Sequence, residues 1–154
     1  MKKLLIGLFA LIGLFFMGSV SSASAAVAKA GPYEGVFHGI VQAPDGSEAA
    51  MSLDLTHRGS MVEGTVSLGE GLTIDAGMCG EAAIPAANIL ASGKTSTLDN
   101  KKLSAVSNFD VSGVAVKVIL DSAINKDTID ATAKIDLPWL CGSDPVLTGK
   151  LHRE

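Results

Sequence analysis

The chain has 154 residues, a formal net charge of −4, 47% hydrophobic and 5% aromatic residues, and two cysteines. A weakly acidic, evenly mixed charge argues against nucleic acid, whose phosphates are bound by clustered Lys and Arg. It also argues against docking on anionic lipid headgroups.

Residues 1–26 read as a cleavable signal peptide of the bacterial, Sec type. Lys2 and Lys3 precede an apolar run from Leu4 to Met17 of about 14 residues. That is short of the ~20 needed to cross a bilayer, and Ala23-Ser24-Ala25 offers a small-x-small cleavage site. No cysteine follows the run, so no lipid anchor is expected. The reading predicts a periplasmic or secreted protein without a membrane span in its mature form. Its single β domain, 27–154, carries a charge of about −6 once the two lysines are gone.

Beyond that point a period of two dominates. Val36 to Gln42 is the first predicted strand, closed by the turn Ala43-Pro44-Asp45-Gly46. Glu48 to Thr56 alternates, with Met51, Leu53 and Leu55 on one face. His57-Arg58-Gly59-Ser60 is the next predicted turn, leading into Met61 to Leu68 as a hairpin partner. A fourth strand is expected from Leu72 through Ile74, Ala76 and Met78 to Cys79.

Glu81 to Ala91 is ambiguous between a helical turn cut by Pro85 and a short strand at Ile89-Leu90. Ser92 to Lys102 reads as loop. Alternation resumes over Leu103 to Phe109, with a bend or bulge at Val111-Ser112-Gly113. Val114, Val116, Val118 and Leu120 then share a face, and Ser122 to Lys126 reads as a turn. Thr128 to Asp136 is the cleanest amphipathic strand, ended by Pro138, and a last strand runs from Val146 to about His152.

Eight or nine strands with short loops and no long helix predict an all-β domain. Such a sheet must hide its dry face and its edges, either by closing into an antiparallel up-and-down barrel of about eight strands or by folding as a sandwich. Successive hairpins favour the barrel, and the β-sandwich stands as the alternative. Gly35-Val36-Phe37 resembles the Gly-x-Trp opening of lipocalin-type barrels, with Phe in place of Trp. Arg153 stands where that family has an arginine packed on the aromatic ring. The other lipocalin motifs are missing, so the resemblance implies a lipocalin-like architecture alone.

Cys79 and Cys141, each between an apolar residue and a glycine, predict one disulfide in an oxidising compartment. Neither has a second ligand at metal spacing. His38, His57 and His152 do not fall together on one strand face. Asp121, Asp127 and Asp130 lack the alternate-position pattern of a calcium loop, and no serine sits in a Gly-x-Ser-x-Gly setting. No metal, cofactor or catalytic set is therefore assigned.

The leading expectation is an exported, soluble barrel that binds or carries a small apolar or amphipathic molecule. Its lining would come from Met51, Leu53, Leu55, Val114, Val116, Val118 and Leu120. The alternative is a non-enzymatic β-sandwich interaction module: an assembly or accessory subunit, or an inhibitor of a secreted enzyme. It would recruit its protein partner by strand addition, through the Gly80–Gly93 and Leu137–Leu140 segments, with Trp139 as anchor.

Overall fold

A computed structural model describes residues 29–111, 114–142 and 144–154, leaving aside the side chains of 109–115. The strands are β1 (Gly35–Gln42), β2 (Glu48–Arg58), β3 (Met61–Leu68), β4 (Leu72–Asp75) and β5 (Glu81–Ile84), followed by β6 (Ala87–Thr95), β7 (Lys102–Val111), β8 (Val114–Asn125), β9 (Thr128–Asp136) and β10 (Val146–Arg153). Eight of them close a barrel in the order β1-β2-β3-β6-β7-β8-β9-β10, with β10 returning to β1. Every pairing is antiparallel. The sheet is thus an up-and-down barrel rather than a sandwich, and β4 and β5 form a separate hairpin inserted between β3 and β6.

Alternation along the strands places aliphatic residues inside and polar ones outside. Two apolar clusters occupy the two ends of the barrel. At the lower end Tyr33 and Phe37 meet Leu53, Leu55, Ile129 and Leu151. At the upper end Leu72, Ile74 and Ile84 of the β4–β5 hairpin pack on Val41, Val116 and Ile135. The hairpin is therefore a lid.

Two devices hold the lid. Cys79 at its tip is disulfide-bonded to Cys141, 62 residues on, in the connection between β9 and β10. On its other flank the β1–β2 turn grips β4: the Thr73 amide donates to Ser47 Oγ at 2.9 Å, and the Thr73 hydroxyl donates to the Asp45 carboxylate. Asp45 also accepts from the Ser47 amide at 2.9 Å. These bonds, that from Thr73 first, hold the Asp45 carboxyl below the ordinary carboxylate range.

Four local expectations change. The strand beginning at Leu72 stops at Asp75, because Gly77–Cys79 form a 3₁₀ turn rather than a continuation. The segment expected as loop from Ser92 continues β6 to Thr95. Its inward positions Ala87, Ala91 and Gly93 are too small to give an apolar stripe, and Leu90 points outward. The expected turn from Ser122 belongs to β8, which runs to Asn125 and buries Ile124. His57 lies in β2, not in a turn, and is fully buried.

Candidate ligand-binding cavity

Between the two end clusters the barrel encloses a cavity of about 230 Å³. Its origin is the size of the inward side chains. Large residues come from β2 and β3, whereas β6, β7 and β9 intersperse Ile89, Leu103, Ile129 and Ile135 with Ala87, Ala91, Gly93, Ala105, Ala131 and Ala133. Interiors are normally close-packed, so a row of small residues facing leucines and valines leaves space. Among the described residues no Asp, Glu, Lys or Arg side chain lines it.

Of the residues expected to line a ligand site, Met51, Leu53, Leu55, Val118 and Leu120 do line this cavity. Val116 does not. It is buried in the upper cluster against the lid, because the β4–β5 hairpin fills that level of the barrel. The Val114 side chain lies outside the described residues. Sequence periodicity assigned the large aliphatic side of the wall, recognised β7 and β9 as strands without assigning Ala105, Ala131 or Ala133 to the lining, and missed the end of β6, where Ser92 and Gly93 give no amphipathic signal.

The floor is built from the segment preceding β1. Gly31 lies so close over His57 that a Cβ at this position would stand 2.2 Å from the ring. His57 Nδ1 accepts from the Tyr33 amide at 3.3 Å, and its Nε2 donates to the Gly59 carbonyl at 3.0 Å. These partners place the ring proton on Nε2. The His57 amide donates to the Glu34 carboxylate at 2.5 Å. The Tyr33 hydroxyl donates to the Lys101 carbonyl at 2.8 Å and lies 3.1 Å from the Ser122 carbonyl. Burial holds that hydroxyl above the ordinary tyrosine range.

Arg153 locks this floor from outside. Its guanidinium lies over the Phe37 ring and donates to the carbonyls of Pro32 (2.7 Å) and Glu34. Asp127 accepts from Nε at 3.1 Å. An arginine thus packs on an aromatic ring at the closure of the barrel, with phenylalanine as the ring.

The other polar candidates are dispersed. The β1–β10 register sets His38 opposite His152, a juxtaposition invisible within either strand. Their rings nonetheless turn to different partners, Glu154 and Thr128. Asp121 accepts from Ser104, while Asp127 and Asp130 pair with Arg153 and Lys150. Among the described residues no three His, Cys, Asp or Glu side chains converge as a metal site.

Trp139 stands on a 3₁₀ turn beside Cys141 and is 86% exposed, as is Met78 beside Cys79. The disulfide fits an oxidising, extracellular or periplasmic setting. Among the described residues no helix is long and apolar enough to cross a membrane. Residues 1–28, which include the expected signal peptide, lie outside the described residues.

No family model and no curated protein matches the chain. Solved β-barrels do. The structure described as EF1p2_mFAP2b bound to DFHBI is 11% identical, with a TM-score of 0.50 over 79% of this chain and 93% of that one. A redesigned β-barrel, mFAP1, also bound to DFHBI, is 13% identical, with a TM-score of 0.48 over 78% of this chain and 94% of that one. At such identity the likeness is one of fold: this chain is a closed, eight-stranded antiparallel β-barrel.

Proposed function

We propose that this barrel binds a small, neutral, apolar molecule in its interior, and that it does so outside the cytoplasm after export on the 1–26 signal peptide. The observation that carries the reading is the cavity of about 230 Å³ with an uncharged, mostly aliphatic wall. A dry apolar cavity of about 150 Å³ takes benzene, so this one suits a molecule of roughly ten non-hydrogen atoms. At typical ligand efficiencies such a molecule binds with a Kd on the order of 1–100 μM. That a barrel of the same fold is bound to DFHBI supports the reading in outline.

Neutrality follows from the wall. A carboxylate moved into it would lose its hydration without gaining a counter-ion, at a cost of several kcal/mol. The test is titration of the purified 27–154 protein with 1-naphthylamine, whose emission reports an apolar surrounding, and with 1-naphthoate, the same ring bearing a charge. The amine should bind in the micromolar range and the carboxylate at least 100-fold more weakly. Ala131→Leu, which fills the cavity from β9, should abolish amine binding without unfolding the barrel. An amine that stays in water with the wild-type protein would sink the proposal.

A second reading, that the barrel is a non-enzymatic interaction module, draws on Met78 and Trp139. Both are exposed on turns that the disulfide holds together. Trp139 is the only tryptophan, so a partner seated there would shift its emission to the blue. Unshifted emission in the presence of extracts from the host envelope would count against it.

A further inference from the structure

The cavity needs an entrance, and both ends are shut. Tyr33, Phe37 and the segment under Arg153 close the floor. The disulfide-tied β4–β5 lid closes the top. The wall itself is continuous along most seams: β2 and β3 pair over eight residue pairs, and β1 and β10 over six.

One seam differs. β6 and β7 pair only at Gly93–Ala105, Lys94–Ser104 and Thr95–Leu103. Above that point β6 continues back to Ala87 and β7 runs on through Val106, Ser107 and Asn108, yet among the described residues their backbones do not pair. Gly93 marks the place where the strands part. A Cβ there would stand 2.8 Å from Leu103 Cδ1 and 2.9 Å from the Ser104 carbonyl oxygen, so the strands touch at Gly93 and splay beyond it.

Inside and outside meet at this opening. Ser92, Gly93, Ala105 and Val106 line the cavity, and the same four residues line a shallow groove on the outer surface with Met61 and Ile119. The opening carries exposed apolar side chains, Leu90 at 84% and Val106 at 58%, beside Lys94 and Ser104 of the same groove. An apolar molecule can leave water there by degrees, first against the lips and then against the cavity wall.

We propose that the open β6–β7 seam is a lateral portal through which a small apolar molecule enters and leaves the cavity. The proposal rests on the reading of the cavity as a ligand site and adds the route. A portal controls both rates and leaves the bound state alone, so closing it slows association and dissociation together at nearly constant Kd.

The experiment closes the seam by bridging Leu90→Cys and Asn108→Cys with a short bis-maleimide; the register sets these positions opposite each other above the last pair, and neither lines the cavity. Intact mass confirms that the native bridge is kept. The control staple joins Ile40→Cys to Ala50→Cys, a paired position on β1 and β2. Stopped-flow mixing with 1-naphthylamine should show both rate constants at least 10-fold lower in the seam staple, with Kd within about 3-fold, and no change in the control. Leu90→Trp, which needs no cross-link and lies outside the cavity lining, should slow both rates at least 5-fold. Unchanged rates in the folded seam variants overturn the portal while binding, and hence the cavity site, stands. A wild-type protein that does not bind the amine overturns the cavity reading and the portal with it.

Discussion

The Arg153 guanidinium carbon lies 4.5 Å from the centroid of the Phe37 ring, joining the last strand of the barrel to the first. The same guanidinium holds the carbonyls of Pro32 and Glu34, so one side chain fixes both the closure of the sheet and the floor beneath the cavity. A cation over a ring is worth about 0.5–2 kcal/mol, and hydrogen bonds from a charged donor about 1.5–3 kcal/mol. Arg153→Ala should destabilise the protein by about 2–4 kcal/mol in urea unfolding. Arg153→Lys should recover less than half of that, because an ammonium cannot cover the ring and reach two carbonyls at once.

Val116 and Val118 look equivalent in sequence, two residues apart on one face of β8. The fold separates them: Val116 is packed under the lid, whereas Val118 faces the void. Val116→Ala should cost about 2 kcal/mol as a packed aliphatic truncation. Val118→Ala removes atoms that already face empty space and should cost less than 1 kcal/mol while improving the fit of larger apolar probes. Equal losses in parallel denaturation curves would mean that the interior is filled.

The Cys79–Cys141 bridge closes a 62-residue loop and ties the lid to the β9–β10 connection. The chain-entropy argument gives an upper figure of about 4 kcal/mol for such a loop. Cys79→Ala with Cys141→Ala should lower stability by up to that amount in guanidinium unfolding. Amide exchange should accelerate first in β4 and β5, since the lid then depends on apolar contact and the Asp45 and Ser47 bonds alone.

Acid should loosen the same lid from its other side. The Asp45 carboxyl sits below its ordinary value because it accepts from Thr73 and Ser47. A carboxyl depressed on folding contributes stability that is present above its unfolded value, about 4, and is lost as pH falls through the lower folded value. Asp144, held down by Lys134 and the Leu137 amide, acts in the same direction. Thermal midpoints should therefore fall as the pH drops below about 5, and Asp45→Asn should flatten part of that fall. A variant as acid-sensitive as the wild type would remove Asp45 from the account.

The strands were legible where inward apolar and outward polar residues alternate strictly, as in β2 and β9. They were illegible where function would need space. β6 carries Ala87, Ala91 and Gly93 inward and Leu90 outward, so its start reads ambiguously between a helical turn and a short strand and its end from Ser92 reads as loop, although its backbone pairs with β3 along its length. The lid was also hidden, because Leu72, Ile74 and Ile84 alternate like any barrel strand and only the topology removes them from the wall. The burial of His57 in β2 was hidden for another reason. Its burial comes from Gly31, 26 positions earlier, and a contact of that kind leaves no local periodicity.

Closure of the wall by β1 and β10 has a consequence for how the chain acquires its shape. The first strand waits for the last: until Val146–Arg153 are present, β1 and β9 both keep an open edge and the floor has no Arg153 to hold it. Contacts of such long sequence separation make folding slow and all-or-none. A chain short of its final strand therefore cannot close the wall or seat the floor.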